Sequence, residues 1–252
     1  MRVAFIKLKN LGFILLAVTL GLLVTQWLAP DFVTAATSTR QLPIYCVERE
    51  FNTASLTFDA AWGNEDTQQL IDILERYQVK ATFFVVGDWA RKYPESVAAL
   101  AAAGHEIMSH SNHHDHMTKL TAEEIKADLA ASNESIAAAS GVVPTLFRAP
   151  YGEYDDKVIL AVRAMGMETI QWDVDSLDWK DLSAAEIEKR VLGKVGPGSI
   201  VLFHNAAKHT PEALPGIIEG LQREGYKLCR VSELIHHGEY SLDHTGRQIP
   251  NP

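Results

Sequence analysis

Glu106-Ile107-Met108-Ser109-His110-Ser111-Asn112-His113-His114 reads as a short strand that delivers a histidine cluster at its C-terminal end. His110 and His114 are four residues apart. On a helix or helical loop that spacing sets two imidazoles on one face, where they can share a divalent ion. A histidine-rich surface loop is the competing reading, because such tracts also hold metals without function. His113 and His116 fall off the four-residue spacing and are expected to point into solvent. His105, His209, His236, His237 and His244 are expected to be surface residues.

The same unit, a strand ending in a polar group and followed by an amphipathic helix, recurs on both sides. Strands are expected over 54–58, 81–86, 106–108, 145–147, 168–172, 199–203 and 227–231. Helices are expected over 67–77, 94–103, 121–139, 157–165 and 211–223, with another starting at Ser183. Leu70, Ile71, Ile73 and Leu74 in the first of these fall at helical spacing. Thr121 and Ser183 each precede a glutamate by three residues, a capping signature, and Gly104, Gly166 and Gly225 sit where helices stop. Such alternation implies parallel strands with outer helices, as a barrel or a doubly wound sheet. Asp59, His110, Arg148, Asp175, Asp178 and His204 fall at or just past strand C-termini. In a barrel those ends converge on one mouth, whereas in an open sheet only strands near the switch point meet. The expected fold is therefore α/β, a distorted TIM-like (β/α) barrel of about seven strands over residues 51–238.

The 252-residue chain carries a net charge of -9, which argues against nucleic acid as a partner, since phosphate binding needs a basic surface. Cys46 and Cys229 match no metal or redox motif, leaving one disulfide or two buried thiols open. Arg2, Lys7 and Lys9 precede an uncharged run from Leu11 to Pro30. Basic residues before an apolar core mark residues 1–36 as a signal peptide or a membrane anchor. A linker over 37–50 and a tail over 239–252 complete the expected organisation. The chain is expected outside the cytoplasm, secreted or anchored, as a monomer touching membrane through its N-terminal segment alone.

Leu56-Thr57-Phe58-Asp59, Lys80-Ala81-Thr82-Phe83-Phe84, His110-Ser111-Asn112-His113-His114, Phe147-Arg148-Ala149-Pro150-Tyr151, Asp175-Ser176-Leu177-Asp178-Trp179 and Leu202-Phe203-His204 occur in that order. Together they resemble the polysaccharide deacetylases, the family with a NodB-homology domain (carbohydrate esterase family 4), over residues 50–235. The leader and Phe58-Asp59-Ala60-Ala61-Trp62-Gly63 look like the sporulation-associated, PdaB-like members.

The resemblance implies a metal-dependent hydrolase that removes N-acetyl groups from an amino-sugar polymer, peptidoglycan or a related envelope or spore glycan. It places a divalent metal ion (Zn, or Co, Mn or Ni) on His110 and His114, and makes Asp59 the base that takes a proton from water. Arg148 would hold that carboxylate, and the Tyr151 backbone N–H would help bind the oxyanion. His204 would be the general acid, its pKa raised and its ring oriented by Asp178. Trp179 and Leu202 would wall the acetyl methyl. Trp62 and Trp89 are candidates for a sugar-stacking platform. Asp175, either facing the mouth or capping a turn, stays outside the catalytic set.

One motif departs from the family. Its usual Thr-Phe-Asp-Asp-Gly is Thr57-Phe58-Asp59-Ala60-Ala61 here, and the second Asp is the family's third metal ligand. Alanine cannot coordinate an ion. Either water then completes a weaker site, or Asp59, Glu65 or Asp66 substitutes, the reading ranked first. The remaining alternative is a catalytically silent carbohydrate-binding protein on the same fold.

Overall fold

The structure is a computed structural model and describes residues 40–251. The leader expected over 1–36 lies outside the described residues. The chain runs through β1 (Cys46–Val47), β2 (Thr53–Ala60), α1 (Thr67–Arg76), β3 (Thr82–Val85), α2 (Gly87–Lys92), α3 (Pro94–Ala102), β4 (Glu106–Ser109) and α4 (Ala122–Ser140). It continues through β5 (Leu146–Phe147), α5 (Asp156–Ala164), β6 (Glu168–Thr169), β7 (Val174–Asp175), α6 (Ala184–Leu192) and β8 (Ser199–His204). Last come α7 (Thr210–Arg223), β9 (Lys227–Leu228), α8 (Val231–Leu234), β10 (Tyr240–Leu242) and β11 (Arg247–Pro250).

Local chemistry sets the helix ends. The Thr121 hydroxyl accepts the Glu124 N–H, and the Glu124 carboxylate accepts the Thr121 N–H, so two otherwise unpaired donors are satisfied at the start of α4. Ser183 and Glu186 repeat the device on α6. Each cap contributes about 1 kcal/mol. Gly141 ends α4 in the left-handed region, at φ 78°.

The sheet curls and closes. β2 lies between β8 and β3, all parallel, and the parallel run continues through β4, β5 and β6. The ring is completed by residues 44–47. Ile44 bridges Ile170 beyond β6, donating to the Thr169 carbonyl at 2.9 Å and accepting from the Gln171 N–H at 2.7 Å. Two residues on, at Cys46, β1 pairs antiparallel with β8. The expected distorted barrel thus forms, sealed by a short staple from the stretch before the first long strand. The hairpin β10–β11 pairs with β1 and extends the sheet. The strand expected over 227–231 stops at Leu228, and Val231 starts α8.

Alternation along the strands makes two apolar layers. Phe58, Ala60, Phe83 and Phe203 face outward and pack with Leu70 and Leu74 of α1 and Leu214, Ile217 and Ile218 of α7. Phe84, Met108, Leu146, Ile170 and Ile200 fill the interior with Val231 and Leu234 of α8. Each such fully buried side chain contributes about 1.5–3 kcal/mol. Thr57 and Asp59 share the inward face of β2, so the polar ends of the strands rim a plugged barrel.

One open alternative is decided and one expectation changes. Cys46 and Cys229 are buried free thiols, each pushed up to about 11, chiefly by burial. His105 is not at the surface. It is buried at the foot of β4, where its Nδ1 accepts the Ala81 N–H and its ring packs edge-on against Phe83. Burial lowers its pKa to about 4.

Gly198, at the turn into β8, has φ +83°, and a Cβ there would overlap the Val47 carbonyl in the barrel staple. Gly198→Ala is expected to cost about 2–3 kcal/mol. Urea unfolding should show this as a lower midpoint at unchanged slope.

Candidate active site

Strand register gathers the polar residues. Asp59 pairs with His204 across β2 and β8 and with Phe84 across β2 and β3. His110 and Arg148 follow immediately on β4 and β5, their N–H groups donating to Val85 and Ser109 carbonyls. All four side chains therefore stand at the same rim.

Arg148 is fully buried, at 0% exposure, and Asp59 nearly so, at 4%. Its Nη1 donates to Asp59 Oδ1 at 2.7 Å and to Thr57 Oγ1 at 2.9 Å, and its Nη2 donates to the Gln171 carbonyl at 3.1 Å. The guanidinium lies over the Phe84 ring, 4.1 Å from its centroid. Burial alone would raise the Asp59 carboxyl. The charges of Arg148, His110 and His204 outweigh burial and hold it below its ordinary range.

His110 is also buried. Its Nδ1–H donates to the Arg148 carbonyl at 2.8 Å, which leaves the Nε2 lone pair 3.5 Å from Asp59 Oδ2. Burial takes its pKa down to about 4, so the ring is neutral at pH 7. The His114 pKa is lowered as well, again mainly by burial. The two rings meet edge-on, with centroids 5.0 Å apart. They do not share a helix face as their spacing suggested. His110 ends a strand, and His114 sits in the following loop at φ 60°, its N–H donating to Ser111 Oγ.

Across the rim, His204 donates from Nδ1 to Asp178 Oδ1 at 2.8 Å. The His204 backbone N–H and the Thr210 hydroxyl both donate to Asp178 Oδ2. Burial pushes the imidazole pKa down, but the bond and charge of Asp178, helped by Asp59 and Asp175, leave it raised above 6.5.

These groups open into a cleft of about 410 Å³ lined by Trp62, Tyr151, Trp172, Asp175, Trp179 and Leu202 as well as Asp59 and the three histidines. Asp175 faces the mouth and also caps a turn, its Oδ1 accepting the Leu177 N–H. Trp89 is not part of the platform. It is buried, and its indole N–H donates to the Trp62 and Gly63 carbonyls. Glu65 and Asp66 do not line the cleft, and Asp66 Oδ2 accepts the Ala206 N–H instead. Ala60 packs in the outer apolar layer. His113 turns outward to Asp88, and His116 pairs with Glu153 at the rim.

Sequence reading missed Asn205, which pins the Trp62 loop by donating to the Trp62 carbonyl and accepting the Ala61 N–H. A single asparagine after a histidine carries no signal of that. It also missed Gly152, at φ +68°, where a Cβ would crowd Trp172.

A polysaccharide deacetylase family model matches residues 47–170. A peptidoglycan-N-acetylglucosamine deacetylase of Bacillus cereus is 33% identical, over 76% of this chain and 72% of its own length. This chain belongs to the polysaccharide deacetylase family. The peptidoglycan-N-acetylmuramic acid deacetylase PdaC of Bacillus subtilis is 36% identical over 71% of this chain, which spans 38% of that longer relative. A Bacillus anthracis protein described as a CE4 family pseudoenzyme superposes with a TM-score of 0.74, at 35% identity, over 77% of this chain and 68% of its own.

The donor set of this polysaccharide deacetylase chain suits a divalent ion in part. Two neutral imidazoles, one with its tautomer fixed by a carbonyl, are ordinary metal donors. A third is short: among the described residues, no group of three or more His, Cys, Asp or Glu has the arrangement of a metal centre.

Because His204 has a raised folded pKa, its contribution to stability is complete below pH 6.5 and is lost as pH rises through the folded value. Asp178→Asn should drop the His204 midpoint below 6.5, since burial then acts without its counter-charge. An NMR titration of the ring protons reads this directly. The stability gap between wild type and variant should narrow as pH rises.

Proposed function

We propose that this chain is an N-deacetylase of an amino-sugar polymer outside the membrane, with peptidoglycan or a related envelope or spore glycan as substrate. One observation carries the reading. A carboxyl whose pKa is held below its ordinary range and an imidazole whose pKa is raised share one cleft, and their environments push the two values apart, as acid–base chemistry requires. Asp59 takes the proton from water. His204 gives its proton to the departing amine. Arg148 and Asp178 keep those two side chains charged and in place. The Tyr151 N–H stabilises the oxyanion, and Leu202 and Trp179 enclose the acetyl methyl. Trp62, Tyr151 and Trp179 are 56%, 58% and 56% exposed around the opening, unusual for such rings and suited to stacking on sugar faces.

His110 and His114 would hold a divalent ion, with Asp59 as the third protein donor in place of the absent second aspartate. Such an ion would polarise the acetyl carbonyl and acidify water. The second reading, a silent glycan-binding protein, draws on Ala60 and on the likeness to the pseudoenzyme. It keeps the aromatic cleft and drops hydrolysis.

Amine release from an N-acetylated chitooligosaccharide or a glycan strand, with metal content measured in parallel, separates the two. Activity with bound Zn, Co, Mn or Ni supports the enzyme. Glycan binding without amine release under any metal supports the second reading. His110→Ala should abolish metal retention and leave the far-UV circular dichroism unchanged. Asp59→Asn should abolish activity, and it should also release the metal if Asp59 is a ligand. Metal retained by Asp59→Asn would remove Asp59 from the ligand set.

A further inference from the structure

His116 lies outside the cleft and takes no part in the chemistry above. Its ring stacks on the Tyr151 phenol, with centroids 4.3 Å and planes 19° apart. Its Nδ1–H donates to Glu153 Oε2 at 2.8 Å, which fixes the ring plane. On the cleft side, Tyr151 meets His114 at 4.6 Å and 75°. His114 in turn meets Trp62 at 5.5 Å. The rings of His116, Tyr151, His114 and Trp62 thus form one unbroken series of contacts, closed at its outer end by a carboxylate.

This series does for His114 what a hydrogen bond does for His110. The His110 plane is set by its Nδ1–H bond to the Arg148 carbonyl. The His114 ring is bounded by other rings. Both it and Tyr151 sit on left-handed backbone, at φ 60° and 61°, a conformation that bulky residues keep where their surroundings enforce it. His113, in the same loop, pairs with Asp88 and Asn112 on the outer side.

We infer that His116 and Glu153 are positioning residues: their pair clamps Tyr151, and the clamped phenol holds the His114 imidazole in the cleft. As a statement about metal binding this rests on the proposed function, but the orientation of His114 can be read without metal.

The test uses the full chain in four variants, His116→Ala, His116→Phe, Glu153→Gln and His113→Ala. In metal-free protein the His114 ring protons feel the ring currents of Tyr151 and Trp62. His116→Ala should shift them toward solvent-exposed values. His116→Phe, which keeps the stack but loses the Glu153 bond, should shift them part of the way, and Glu153→Gln, which keeps an acceptor, should leave them near wild-type values. Co(II) titration should show affinity about tenfold weaker in His116→Ala, between that and wild type in His116→Phe, and within about twofold of wild type in Glu153→Gln and His113→Ala. Unchanged His114 resonances in His116→Ala, or an equal disturbance in His113→Ala, would overturn the inference. A wild type that takes up no Co(II) would instead count against the metal reading, with the ring-proton shifts still deciding the positioning role.

Discussion

Arg148 and Asp59 form a buried ion pair on which both halves of the site depend. Taking two charges out of water costs several kcal/mol per ion unless geometry and further hydrogen bonds repay it. Here they do so in part. Thr57 and the Gln171 carbonyl take two more guanidinium donors, and Phe84 and Trp172 face the cation. One guanidinium nitrogen, Nε, stays buried without a hydrogen-bond partner among the described residues. Such a group is poor material for stability alone. It holds the Asp59 carboxylate ionised, and the backbone carbonyl of the same residue accepts the His110 Nδ1–H. One residue just after β5 therefore sets the charge of a carboxylate on β2 and the tautomer of an imidazole after β4.

The opposite side of the rim is built differently. Asp178 accepts from the His204 ring, the His204 backbone and the Thr210 hydroxyl. Its bond to the ring and its charge raise the pKa of the partner imidazole. Replacement of the family's second aspartate by Ala60 leaves both pairs intact, because position 60 packs among outward-facing apolar residues. The Asp59–Arg148 and Asp178–His204 pairs stand without it.

Much of this was legible in the chain. The β-α alternation, the caps at Thr121 and Ser183, and the polar residues at strand ends pointed to a barrel with one mouth. Asp59, His110, His114, Arg148, Asp178 and His204 do meet there. The failures have definite causes. His105 was read as exposed because nothing in sequence shows that the Ala81 N–H needs its Nδ1. Trp89 and Trp62 look alike as loop aromatics, yet one is buried under the other's carbonyl. His116 lies outside the cleft, as its spacing suggested, but its stacking on Tyr151 joins residues 35 positions apart and has no local signal.

What the sequence determined by itself is periodic or local: strand and helix order and helix caps, with the acid–base residues and the missing second aspartate following from its resemblance to a family's short motifs. Those features depend on neighbours within a few residues. Tertiary structure alone decided the closure of the ring through Ile44 and Ile170, the burial of Arg148, and the ring contacts from His116 to Trp62. Each joins residues tens of positions apart, and their contact exists because parallel register and packing bring the strand ends to one height, which no local pattern encodes.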